Sequence, residues 1–348
     1  MRLAIIGFPK SGKSTVFAAL TGARGHGKGH TGPGTDSKIA TVTVIDERVD
    51  FLLKVYKPKK TIYARIEYLL PSKGPESSAS KSEGEIWNQA RPCDALIHVI
   101  RNFSGADGFS PAPEQDFRRL EEEMIVSDLA VAEKRLDRIE LDRKRGNKPN
   151  EEEYTLLKSC REFLEQGQPL RRIGGLASEP ALRGFTFLTA KPMLVLINND
   201  DEDERLPEWS QIPEDADMLM ARGRLEMDIA SMSPEEAEEF IEAYNIEEYA
   251  LDRVIKASYR LLDRITFFTV LSDEVRAWSI TEGTPAIDAA GAVHTDMKKG
   301  FIRAEVLSFE DLKRCGTVPE ARKGGLVRLE GKEYRVKDGD IINFRFNV

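Results

Sequence analysis

Cysteine is scarce: the chain of 348 residues holds 3, at Cys93, Cys160 and Cys315, far apart and at no metal-ligand spacing. An odd, scattered set neither pairs completely nor chelates, which excludes a disulfide framework and a cysteine-built zinc site and leaves reduced structural thiols as the expectation. Long apolar runs are also missing, and the start of the chain shows no basic region, apolar stretch or small-residue cleavage site. Neither export nor membrane insertion is therefore expected, and the chain is read as cytoplasmic. Positive charge is not in excess. The 51 Lys and Arg face 59 Asp and Glu, a net charge of −8, which argues against coating nucleic acid by bulk charge but leaves local basic patches open. Hydrophobic residues, by contrast, make up 41% of the chain, enough for a large core divided over two or three domains.

The first apolar segment, Arg2 to Ile6, reads RLAII and suits a buried parallel strand. GFPKSGKST follows at once, and Gly7, Gly12, Lys13 and Ser14 satisfy G-x-x-x-x-G-K-[ST]. The glycines let the backbone curl so that successive N–H groups point inward at phosphate oxygens, with Lys10, Ser11 and Thr15 completing the phosphate-facing set. Lys13 supplies a cation to the β and γ phosphates, and Ser14 a ligand for Mg²⁺. The segment Thr15 to Leu20, apolar from Val16 on, predicts a helix whose N-terminal dipole favours the same anion. Strand, loop and helix together indicate phosphate binding without naming the nucleotide.

A second strand is expected at Met193–Ile197 within KPMLVLINNDD, with Asn198, Asn199, Asp200 and Asp201 at its ligand-facing end. In guanine-binding proteins the corresponding loop is usually N-K-x-D. Here Asn198 and Asp201 keep the outer spacing but the lysine is absent, so the choice between ATP and GTP stays open. So does the alternative of an acidic surface turn, because DDEDE runs on from Asp200 to Glu204.

Between Leu120 and Leu164, Leu129, Ala132, Leu136 and Ile139 recur at helical spacing, as do Leu156, Leu157, Cys160, Phe163 and Leu164. Gly146, Asn147, Pro149 and Asn150 separate the two runs, predicting an antiparallel helical pair. It is read equally as a packed pair and as an arm for a macromolecule. A helical stretch is expected from Pro234 to Leu262. Short β-type blocks then recur at Phe267–Leu271, Phe301–Val306, Leu326–Leu329 and Ile341–Phe346, a small mixed-sheet domain. Lys298, Lys299, Arg303, Lys332, Arg335 and Lys337 offer phosphate contacts there, but acids are nearly as numerous.

VRAWSI at Val275–Ile280, AAGAVHTDMKKGFIRAEV at Ala289–Val306 and DGDIINFRFNV at Asp338–Val348 resemble the YchF/Obg-like ATPase family. So do DERVDFL at Asp46–Leu52, SKSEG at Ser80–Gly84 and DALIHVIRNF at Asp94–Phe103, so the likeness spans nearly the whole chain. The resemblance implies an α/β fold: a Ras-like P-loop NTPase domain (1–115 and 171–264), an inserted helical hairpin (116–170) and a C-terminal ubiquitin-like TGS domain of α+β type (265–348). It implies slow hydrolysis of ATP or GTP with Mg²⁺ as cofactor, and a regulatory role in translation. The expected partner is the ribosome or RNA, met by the arm and the TGS-like domain.

The chain departs from the family where hydrolysis is concerned. Upstream of SKSEG the family carries D-x-x-G; here Pro71 to Gly74 reads PSKG, keeping Gly74 but offering no carboxylate, with Glu67 as the substitute acid if the alignment slips. A catalytically degenerate switch or scaffold is thus the alternative to a slow NTPase. The glycine-rich segment Arg24–Lys38 is expected to be a mobile loop, with Thr35 (or Thr31) closing on Mg²⁺ and Lys28 or Arg24 reaching phosphate. His26 and His30 have metal-ligand spacing only on a helix, which the glycines oppose. Gly223, Arg224 and Leu225 fall where the family places a loop against the base. His98, Trp87 and Trp278 are read as packing residues.

Overall fold

The expected opening strand forms as β1 (Arg2–Ile6), fully buried from Leu3 to Ala4 and on to its end, and runs through the glycine loop into α1 (Lys13–Gly22). The chain is seen in a computed structural model that describes residues 1–22, 27–31, 37–72, 79–105, 108, 110–176, 179–210, 215–244, 246, 249–270 and 273–347. Next come β2 (Gly27–Thr31), β3 (Lys38–Thr43), α2 (Glu47–Tyr56), β4 (Lys60–Ile62) and β5 (Arg65–Leu70). Helix α3 (Ala79–Ala90) and β6 (Ala95–Asn102) lead to the long α4 (Pro113–Lys144) and its partner α5 (Glu151–Glu165). Then follow β7 (Met193–Asn199), β8 (Ala216–Ala221), α6 (Gly223–Ser231), α7 (Pro234–Ala243) and α8 (Ala250–Leu261). The last third holds β9 (Arg264–Val270), β10 (Glu274–Thr281), α9 (Ala286–Val293), α10 (Thr295–Lys299) and β11 (Phe301–Ser308). It ends with α11 (Phe309–Cys315), α12 (Val318–Lys323), β12 (Arg328–Glu330) and β13 (Asp340–Phe346).

Among the described residues the strands form two sheets, one in the order β2-β3-β5-β1-β6-β7-β8 and the other β12-β11-β13-β9-β10-β4. In the first, β1 lies parallel to β5 and β6, and β7 parallel to β6 and β8. Strands covered on both faces need near-continuous apolar sequence, which is what Leu3–Ile6, Ala95–Ile100 and Met193–Ile197 supply. The glycine-rich segment gave no strand signal, yet Gly27–Thr31 pairs antiparallel with Lys38–Val42. The mobile-loop expectation is corrected for those five residues: ladder bonds come from the backbone, so an edge strand forms without β-favouring side chains.

The chain divides into two compact units, 1–42 with 67–257, and 43–66 with 258–348. In the first, the two helical runs become α4 and α5. Asn150 caps α5 by accepting from the amides of Glu152 and Glu153, and Ala132, Leu136 and Ile139 share a core with Leu157, Cys160 and Leu164. The expected helical stretch after Pro234 resolves into α7 and α8.

In the second unit β4, from the middle of the first sheet's sequence, pairs parallel with β10. Asp46 starts α2 by accepting the Arg48 amide, and the Arg48 guanidinium reaches Asp338 in a two-point pair at 2.6 and 3.2 Å. Asp338 in turn accepts the Thr266 amide at 2.8 Å, and Arg48 lies 5.3 Å from the Phe268 ring centre. These bonds hold the segment 43–66 to strands more than two hundred positions later. The sequence placed no strand at Glu274–Thr281, whose alternating burial follows its pairing with β9.

Candidate nucleotide-binding site

The glycine loop stands at the C-terminal end of β1, between β5 and β6. Gly7 has φ 145° and Gly12 has φ 92°, the left-handed half of conformational space that side chains disfavour. Space forbids a side chain as well: a Cβ on Gly7 would meet the Val99 carbonyl oxygen at 2.3 Å, and one on Gly12 the Asn198 Nδ2 at 2.0 Å. Lys10 also holds a left-handed φ, 65°. The Lys13 Nζ donates to the carbonyl oxygens of Gly7 (2.7 Å) and Phe8 (2.6 Å), so its ammonium is folded over the concave side of the loop. Ser11 is buried, Ser14 is exposed at the first turn of α1, and Thr15 is half-buried.

Asn198 joins three segments. Its Nδ2 donates to the Ser11 carbonyl at 3.1 Å and its Oδ1 accepts the Gly223 amide at 3.0 Å, all while the side chain is 4% exposed. Asp201 does not hang free beside it, because its Oδ1 accepts the Leu225 amide at 3.1 Å in the first turn of α6. Thus Gly7, Lys10, Ser11, Gly12, Lys13, Ser14, Thr15, Asn198, Asp201, Gly223 and Leu225 are brought to one end of one sheet. Arg224 is exposed next to them. Gly74, Thr35, Arg24 and His26 lie outside the described residues.

The position of the missing lysine is filled by Asn199, which donates to the carbonyls of Asp203 (2.9 Å) and Arg205 (2.7 Å) and accepts from Asn102 (2.8 Å). It shapes the acidic turn from within; Asp200 and Glu202 are exposed, and Glu204 pairs with Arg222 at 2.9 Å. The surface-turn reading and the ligand-facing reading therefore meet in one seven-residue stretch, Asn198 to Glu204, where Asn198, Asn199 and Asp201 bond inward and Asp200 and Glu202 are exposed.

The substitute acid fails on register. Arg2 pairs with Glu67 and Ala4 with Leu69 across β1 and β5, a register that, continued two residues, would bring Pro71 level with Ile6 at the end of β1. Glu67 is four residues further back, about 13 Å at the usual strand rise. Its carboxylate is held there by Arg2 at 2.9 Å. Beyond Pro71, Ser72 is pinned by Gln89, which exchanges two hydrogen bonds with its backbone.

His98 is a packing residue. It is fully buried in β6, stacked 5.8 Å from Phe117, and burial pushes its pKa down to about 3, helped by the charges of Lys13 and Arg171. Trp87 sits in the core of the same unit and Trp278 packs against that of the other. Sequence reasoning missed three neighbours of the loop. A Cβ on Gly12 would come within 3.9 Å of the Phe103 ring. Arg101 stacks over that ring, and Arg119 of α4 stacks over Phe8. Arg101 lies near the end of the apolar strand β6 and Phe103 just beyond it, at the ligand-facing end, a signal that was available. Arg119 lay inside an ordinary amphipathic pattern and gave none.

A largely parallel sheet with a phosphate-type glycine loop after its first strand, an asparagine tying that loop to the strand-end turns, and a second α+β unit built from 43–66 and 258–348 define a P-loop NTPase fold of the GTPase type. Comparison with known proteins agrees. Residues 264–347 match the family model YchF-GTPase_C, described as a protein of unknown function (DUF933). The ribosome-binding ATPase YchF of Bacillus subtilis (strain 168) is 35% identical over 362 residues, covering 99% of this chain and 98% of that protein. Its counterpart from Escherichia coli O157:H7 is 36% identical over 358 residues with the same coverage. The solved YchF GTPase of Schizosaccharomyces pombe superposes with a TM-score of 0.84 at 28% identity, over 99% of this chain and 97% of the other. A GTP binding protein from Pyrococcus horikoshii shares the fold at a TM-score of 0.58 and 16% identity, with full coverage of both chains. The chain belongs to the YchF family.

Proposed function

We propose that this chain binds ATP or GTP in the glycine loop and works in the cytoplasm as a nucleotide-controlled regulator on the ribosome. The observation that carries the reading is the loop itself: two glycines that accept no side chain, Lys13 folded over the carbonyls of Gly7 and Phe8, and Asn198 bracing the loop against Gly223. Lys13 would turn from carbonyl oxygens to phosphate oxygens, and the inward N–H groups of Lys10 to Thr15 would take the rest of the charge. Mg²⁺ suits the Ser14 hydroxyl, an exposed hard oxygen donor. No group of three His, Cys, Asp or Glu able to hold a metal occurs among the described residues, so Ser14 and the phosphates would be its main ligands, with Thr35 proposed as a further one. Gly74, Asn198, Asp201, Gly223 and Leu225 are proposed to border the phosphate and the base.

The ribosome reading rests on relatives named for it. The helical pair 116–170 and a TGS-like domain at 265–348 are proposed as the elements that meet ribosomal RNA or protein. No helix of the described residues is long and apolar enough to cross a membrane. A second reading, occupancy without appreciable hydrolysis, is favoured by Pro71 just after β5 and by Glu67 being held by Arg2 instead. Titration calorimetry with ATP and GTP, each with Mg²⁺, followed by phosphate analysis of the same samples, separates the cases. Binding with release supports a slow NTPase, binding without release supports the switch, and no binding to either overturns both.

A further inference from the structure

The loop carries more positive charge than its motif requires. The Arg119 guanidinium carbon stands 5.0 Å from the centre of the Phe8 ring, while the carbonyl oxygen of the same Phe8 accepts Lys13 Nζ at 2.6 Å. Two cations from different elements thus meet at one loop residue. We propose that Arg119 supplies a second cation, beside Lys13, to the terminal phosphate of a bound nucleoside triphosphate. The proposal rests on the reading that the loop binds a triphosphate, and goes beyond it by naming a group from outside the motif.

Arg119 is presented from a rigid support. It lies in the second turn of α4 between Phe117 and Leu120, both buried, which fix the rotation of the helix and leave Arg119 on its exposed side. Its neighbour Arg118 is paired with Glu114 at 2.6 Å, one turn earlier. Arg119 makes no ion pair among the described residues. Asp116, half-buried on the same helix, has its pKa raised by burial while the charges of Arg119 and Arg101 pull it the other way. The helix therefore closes an ion pair on Arg118 and leaves Arg119 with only the longer-range charge of Asp116.

The opposite side of the loop shows the complementary loss. Two residues past the last β1–β5 pair, Ala4 with Leu69, stands Pro71, a side chain with no carboxylate. A stacked guanidinium keeps its N–H edges open for two-point contact with a phosphate, and the ring beneath it limits how far it swings.

The test is calorimetric titration of the full chain with the β,γ-imido analogues of ATP and GTP, and with ADP and GDP, in wild type, Arg119→Ala, Arg119→Lys and Phe8→Leu. Arg119→Ala is expected to weaken triphosphate-analogue binding about 10-fold or more, the size of one charge-assisted contact, with the diphosphate changed less than about 2-fold. Arg119→Lys should recover part of the loss, and Phe8→Leu should reproduce part of it. Equal weakening of tri- and diphosphate, or no change with either, overturns the proposal and leaves Arg119 as a brace for Phe8. If wild type binds the diphosphate but gains nothing from the third phosphate, this proposal alone fails. If wild type binds none of the four, the phosphate-loop reading fails with it. An unchanged thermal midpoint in Arg119→Ala, expected for an exposed side chain, excludes misfolding as the cause.

Discussion

The carboxylate of Asp128, fully buried in α4, accepts both the backbone amide and the hydroxyl of Thr189, at 2.7 and 2.8 Å on the same oxygen. Its other oxygen takes the Leu188 amide at 3.1 Å and Arg91 at 2.7 Å. One side chain thus fastens the root of the helical pair to the segment leading into β7. Asp128→Ala takes the acceptor from two amides and the Thr189 hydroxyl and removes the ion pair of Arg91, which keeps its bonds to Ser127 and Thr186, and is expected to cost about 3–5 kcal/mol, with Asp128→Asn recovering part. Urea unfolding at neutral pH measures it; a loss under about 1 kcal/mol would show that the network adds little.

Lys13→Ala should abolish most triphosphate affinity without unfolding the chain, since Lys13 bonds to loop carbonyls that water readily solvates. Calorimetry beside a melting curve checks both halves. Undiminished affinity in the variant contradicts the cradle.

Gly12→Ala is expected to fail differently. The added carbon would have to displace Asn198 and hold a φ of 92°, so the brace between Ser11 and Gly223 opens. A stability loss of about 1–3 kcal/mol should accompany the loss of nucleotide binding. A variant that loses binding while melting like wild type would mean the brace has no part in stability.

His98 gives stability a pH dependence whose sign follows from its depressed pKa, about 3 when folded. Between that value and the ordinary 6.5, the unfolded chain takes up a proton that the folded one refuses. The contribution of neutral His98 is complete above pH 6.5 and is lost as pH falls below it, at about 1.4 kcal/mol per unit. Its two ring nitrogens have no hydrogen-bond partner among the described residues, so His98→Leu should be tolerated. Between pH 7 and pH 5 the variant should lose about 2 kcal/mol less than wild type in urea unfolding; parallel losses would show that His98 is not the group titrating.

Arg48→Ala is expected to destabilise the C-terminal unit by about 2–3 kcal/mol, by removing the two-point bond to Asp338 and the contact over Phe268. Hydrogen exchange at β4 and β10 reads this locally. Unaltered protection there would place the strength of the pairing in the strands alone.

The sequence revealed most where one local rule sufficed. Strand β1, the loop and α1 carry three agreeing signals, and the helical pair is visible in its period and in the breakers from Gly146 to Asn150. The rest depended on partners distant in the chain. Nothing in KTI at Lys60–Ile62 announces pairing with β10, because three residues hold no period and their partner is more than two hundred positions away. The glycines of β2 hid a ladder made by backbone alone. Within the site, the motif positions were legible but not the register that separates Glu67 from the loop, nor Arg119, whose meaning comes from the ring beneath it.

The chain passes between its two units after Val42, after Ile66 and after Ala257. The C-terminal part is therefore no detachable cassette. A gene fragment that starts near residue 264 would inherit neither α2 nor β4, and would leave the edge of β10 and the acids at Asp338 without their partners. Any exchange of this unit between proteins has to carry two separate stretches, 43–66 and 258–348, although the first is spliced into the sequence of the other unit.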